Sequence, residues 1–192
     1  VASTTLRERF LKSFAYYRDW HLANRNPAFV PWHTQAYCQY LRLHPADDIQ
    51  AFVFEMNDWL ITVQQEKNVP LDCVGRFYAP NKRYGPPHAS ATGVYLEGLV
   101  DACQLARSAG DAKRYWKYLR SIKLGLRSVQ QLTFSNSTDM FYISQKHRVA
   151  GGVRTTFYDN RIRVDNVQHC LLAIQKVLAD AAFASDLEIL SI

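Results

Sequence analysis

Residues Gly151–Val177 read GGVRTTFYDN RIRVDNVQHC LLAIQKV. A glycine pair leads into a short extended run that closes on Ile162-Arg163-Val164-Asp165. Val167, Cys170, Leu171, Ile174 and Val177 then recur at helical spacing. The upstream chain carries weaker copies of the same order. A shift of about 66 positions lays Ala36 on Ala102, Phe52 on Tyr118 and Gln64-Gln65 on Gln130-Gln131. A shift of about 68 lays Glu97 on Asp165, Leu99 on Val167 and Asp101 on His169. Each copy is a helix, a tight turn, a second helix ending in glutamine and a glycine-bearing loop. The pattern therefore predicts an all-α fold of repeated helical hairpins set side by side in an arc, with little strand.

The apolar stripe Ile49, Phe52, Val53, Met56, Trp59, Leu60 and Val63 is the clearest helix. A helix from Pro31-Trp32 to Leu41 precedes it, proline being at ease in a first turn. A first helix is expected from a Thr5/Glu8 capping box to about Asn24. A fourth runs from about Ser90 to Gly110. A fifth starts at Asp111 and closes at Gln130-Gln131, and a sixth carries Val167–Val177. Residues 70 to 88 break the pattern into a long loop around Gly75-Arg76-Phe77-Tyr78, with room for a short strand.

At 192 residues and 48% hydrophobic content, with Tyr 11, Phe 10 and Trp 4, the chain suits one domain over residues 1–192 and excludes disorder. No apolar run reaches the length of a membrane span. No signal-peptide pattern is visible at the start; location stays open, with the cytoplasm favoured. The net charge of +6 raises nucleic-acid binding. Yet Lys113, Arg114, Lys117, Arg120, Lys123 and Arg127 lie opposite an apolar stripe, the pattern of a solvated outer face. Cys38, Cys73, Cys103 and Cys170 show no metal-ligand spacing and read as buried thiols, so neither metal nor cofactor is expected.

The unit resembles the alpha/alpha toroid superfamily of six-hairpin glycosidases, sugar epimerases and polysaccharide lyases. The resemblance rests on Phe29-Val30-Pro31-Trp32, Asp58-Trp59-Leu60 with Gln64, Gly75-Arg76-Phe77, and Thr92-Gly93 through Glu97-Gly98-Leu99. It extends to Gly110-Asp111, to Gly151-Gly152-Val153 and to Arg163-Val164-Asp165. It implies a partial (α/α) toroid, about half of a twelve-helix ring, with a sugar-binding cleft at one end of the inner helices. The implied partner is a polysaccharide or oligosaccharide.

Convergence of the inner helices would bring Trp32, His33, Glu97, Arg163 and Asp165 towards one end. Glu97, Asp165 and His169 form the candidate acid/base set, because glycosidic hydrolysis needs paired carboxylates and a histidine can shuttle a proton. Each also has a plain structural role: Glu97 in a salt bridge to an arginine, Asp165 as a helix N-cap, His169 as a hydrogen-bonded core residue. Trp32 and His33 are candidates for sugar stacking, or a wedge between helices. Arg76, Lys82, Arg83 and Tyr84 could clamp an acidic group of a glycan, with Arg163 a further substrate contact. Tyr78, Tyr95 and Tyr158 are weaker candidates beside Tyr84 for proton transfer at a uronic acid. No phosphate loop, zinc-protease or hydrolase-elbow motif occurs. Acid-base action on, or binding of, an acidic polysaccharide is one reading, and a non-catalytic scaffold for a protein partner the other.

Overall fold

The computed structural model describes residues 2–78, 87–138 and 140–189. Tyr84, Lys82 and Arg83 lie outside them. The fold is all-α, and the one sheet among the described residues has two strands. The long helices are α1 (Ala2–Asn24), α2 (Val30–Leu41), α3 (Asp47–Leu60), α4 (Ala89–Ser108) and α5 (Ala112–Leu132). A single turn, α6 (Lys146–Val149), precedes strands β1 (Arg154–Thr156) and β2 (Asp159–Ile162). Helices α7 (Val164–Leu178) and α8 (Ala181–Ile189) end the described chain.

Helix α4 is central. It buries Leu96, Leu99, Val100, Ala102 and Cys103, and also Glu97 and Asp101, so almost every face is covered. Antiparallel hairpins join α2 to α3, where Asn57 donates to Thr34 Oγ1 at 2.9 Å, and α4 to α5, where Gly125 meets Leu96. Helix α1 runs against α2 through an aromatic ladder: Phe10 stacks on Tyr40, Phe14 meets Tyr37 edge-on, Tyr17 stacks on His33, and Trp20 meets Phe29.

Helices α2, α4 and α7 all run in one direction. Pro31 touches Gly98, and Gly93, Asp101 and Arg107 meet Cys170, Lys176 and Asp180 in turn. The partner helices follow one another in the opposite direction. Tyr118 donates to the Phe54 carbonyl, Ser121 to Gln64 and Arg120 to Glu66, while Tyr115 and Lys123 reach Asp186 and the Glu188 carbonyl of α8. The segments that follow α3 and α5 are each tied to a later part of the chain by an isolated antiparallel bridge, Gln64 to Phe77 and Thr133 to Val153. In both cases a glycine with positive φ stands two residues before the bridge: Gly75 at 93° and Gly151 at 81°. Buried hydrophobic residues from Phe14 to Leu187 form one cluster.

Several expected boundaries move. Helix α1 begins at Ala2, ahead of the Thr5/Glu8 box, and α7 begins at Val164. Asp111 does cap α5, its Oδ1 accepting from the Arg114 N–H at 3.0 Å.

Candidate functional site

Glu97 lies in α4 between Gly93 and Gly98, and those two glycines fix what it meets. A β-carbon on Gly93 would fall 2.7 Å from the Cys170 nitrogen and 2.9 Å from the His169 β-carbon. One on Gly98 would fall 2.6 Å from Pro31 Cα. Their absence lets α7 and α2 close onto α4 backbone to backbone. Glu97 is left 3% exposed, with Oε1 2.6 Å from His169 Nδ1. Its partner is thus a histidine and not the arginine of the salt-bridge alternative.

A carboxylate only accepts, so the proton of a neutral His169 sits on Nδ1 and Nε2 keeps its lone pair. The His169 side chain is 17% exposed. Its ring meets the Trp32 indole edge-on at 5.9 Å and 71°. Trp32 is 52% exposed and offers an open aromatic face beside the imidazole.

A second polar cluster locks the same three helices one to two turns further on. Lys176 Nζ donates to Asp101 Oδ2 at 2.8 Å, to Gln35 Oε1 at 2.9 Å and to the Glu97 backbone carbonyl at 3.0 Å. Gln35, Asp101 and Lys176 also line a shallow groove with Gln39, Arg42 and Gln104. That groove lies beside the Glu97–His169 pair without including it. Lys176 stands seven residues after His169, and Asp101 four after Glu97, so both continue the contact of α4 with α7.

The remaining candidates divide. Asp165 is no N-cap: Arg163 holds that position, and Asp165 sits in the first turn of α7. The two residues pair bidentately, Nε to Oδ1 at 2.9 Å and Nη2 to Oδ2 at 2.7 Å. Burial pushes the Asp165 carboxyl up, but the hydrogen bond and charge of Arg163 outweigh it and leave it below the usual range. Arg161 and Asp159 form a matching pair on β2. His88, just ahead of α4, lies in the field of both pairs and is held below its ordinary pKa, by burial first and then by Arg163.

His33 belongs elsewhere. Its ring stacks on Tyr17 at 3.4 Å and 4°, and Nδ1 donates to the Phe29 carbonyl at 2.9 Å. It is a packing residue between α1 and α2, pointing away from its neighbour Trp32. Arg76 donates to Gln65 and lies over Tyr78 at 5.1 Å, near the end of α3. All four cysteines are buried free thiols, and burial pushes Cys38 and Cys170 up to about 12. No group of three His, Cys, Asp or Glu side chains able to hold a metal occurs among the described residues. None of their helices is long and apolar enough to cross a membrane.

Set against known proteins, the chain matches no family model, no curated protein and no solved structure.

Proposed function

We propose that this chain is a carbohydrate-active protein built as an arc of helical hairpins in the manner of the alpha/alpha toroids, acting on or binding an acidic polysaccharide. The observation that carries the reading is the buried Glu97 carboxylate on His169 Nδ1, beside the exposed face of Trp32. In this reading His169 Nε2 is the acid/base atom. Glu97 fixes the ring and its tautomer, leaving Nε2 turned to the substrate side. Trp32 is the platform for the apolar face of a sugar ring. Arg163 meets a substrate carboxylate or sulfate, which would take the place of Asp165 on the guanidinium. The common direction of α2, α4 and α7 and the recurring glycine-led bridges support the arc.

The test is an array of uronic-acid and sulfated oligosaccharides, followed by turnover assays on whatever binds. Trp32→Ala should weaken binding by about 1 kcal/mol. Glu97→Gln should leave binding nearly intact and lower turnover roughly a hundredfold or more. Absence of any glycan binding would sink the reading. The protein-scaffold alternative has its own support in the exposed face of α7, where Val164, Leu171 and Leu178 follow one another at seven-residue intervals. It is favoured if Leu171→Glu abolishes capture of a stoichiometric protein partner while glycans bind neither form.

A further inference from the structure

The seam between α1 and the α2–α3 hairpin holds polar groups that lie apart from Glu97 and His169. His21 is fully buried there, its ring edge-on to Phe52 at 5.8 Å and to Trp59 at 5.4 Å. Nε2 lies 3.3 Å from Arg25 Nη1. A guanidinium only donates, so Nε2 accepts and the ring proton sits on Nδ1. Nδ1 is buried without a hydrogen-bond partner. A single carboxylate, Glu55, serves this corner: it is ion-paired with Arg25, and its Oε2 stands 3.8 Å from His21 Nε2. The other titratable neighbours are the Tyr17 phenol on α1 and the Tyr37 phenol and His33 ring on α2.

Arg25 is itself strained. It follows α1 at φ 51°, a left-handed conformation in which a β-carbon crowds the backbone. Its N–H is bonded to the His21 carbonyl at 2.8 Å. Its guanidinium, on Glu55, on His21 and over Trp59 at 5.8 Å, anchors that conformation.

We propose that protonation of His21 expels Arg25 from this corner and undocks the C-terminal end of α1, an acid-triggered switch built into the α1–α2 connection. The added proton occupies Nε2, which removes the acceptor of Arg25 and sets two cations against one carboxylate. Without its anchor the left-handed Arg25 backbone relaxes, and the contacts of Trp20 with Phe29 and of Tyr17 with His33 loosen with it. Burial above all, then Arg25 and His33, brings His21 from its ordinary 6.5 down to about 4. The docked state therefore refuses a proton that the undocked state accepts. Docking is at full strength above pH 6.5 and is lost as the pH falls towards 4.

Trp20 and Trp59 border the seam and report on it. Tryptophan fluorescence followed from pH 7.5 to 4, with far-UV circular dichroism alongside, should show a reversible change between pH 6.5 and 4 while most helical signal persists. In His21→Gln the change should be absent from that window. Arg25→Gly removes the rival cation and accepts positive φ, so Glu55 can pair with a charged His21; its transition should disappear or move to lower pH. The Arg25→Gly comparison stands even if His21→Gln fails to fold. Acid curves of wild type and Arg25→Gly that superimpose, or a fluorescence change coincident with loss of the helical signal, would overturn the switch.

Discussion

At the residue scale, Gly75 and Gly110 separate two reasons for a glycine. Both have positive φ, 93° and 72°. A β-carbon on Gly75 would fall 1.8 Å from the Leu124 carbonyl oxygen, whereas one on Gly110 would meet nothing within 4 Å. Gly75→Ala must therefore displace the backbone of α5. It should cost more than about 2 kcal/mol, against about 1 kcal/mol of strain alone for Gly110→Ala. Urea unfolding of the two variants measures the difference directly. It also tests the bridge to α3, since Gly75 donates to the Gln65 carbonyl at 2.7 Å and accepts from Gln64 Nε2 at 2.9 Å. These glycines were visible in the sequence as punctuation, but what they touch was not. The same holds for Glu97: its type and place on α4 could be read, while its partner 72 positions away depends on how far Gly93 lets α7 descend. His33 and Trp32 are adjacent in the chain but not in what they touch. One step along a helix turns a side chain by about 100°, which carried His33 onto α1.

At the element scale, α3, α4, α5 and α7 were legible because their apolar residues recur over several turns and burial follows that recurrence. Helix α8 was missed because only Phe183 and Leu187 are buried in it. The β1–β2 hairpin was only hinted at, since its strands are short and Phe157-Tyr158 at the turn is not a usual turn pair. The basic row of α5 proves to be partly a clasp. Arg114 and Lys117 both reach Asp58, at 2.9 Å each, and Arg120 pairs with Glu66. Burial raises the Asp58 pKa, but the bonds from Lys117 and Arg114 prevail and hold it below 3.8. Asp58→Asn should lose roughly 1 to 2 kcal/mol of stability at neutral pH. A carboxylate whose pKa is depressed by folding contributes above its unfolded value and is lost below it, so the difference should fade only under pH 3.8. Chemical denaturation of the pair at pH 7 and pH 3 checks the sign, and the Asp58 limb lies below the window assigned to His21.

For the whole molecule, ion pairing leaves the excess of +6 unchanged, since each pair removes one charge of each sign, and decides only which cations stay free. Arg25, Arg107, Arg114, Arg120, Arg161, Arg163, Lys117 and Lys176 all face carboxylates of the same chain. The directions of the helices have a kinetic consequence. Parallel neighbours cannot be neighbours in sequence: Lys176 finds Gln35 across 141 positions, His169 finds Glu97 across 72, and Tyr118 finds Phe54 across 64. Each such contact requires a long loop to close before it contributes anything, and that entropy slows the search. An antiparallel bundle of the same helix content needs few contacts of this span. Stopped-flow refolding should accordingly place this helical protein among the slow topologies, at milliseconds to seconds instead of microseconds. Its speed is set by connectivity much as that of a sheet protein is.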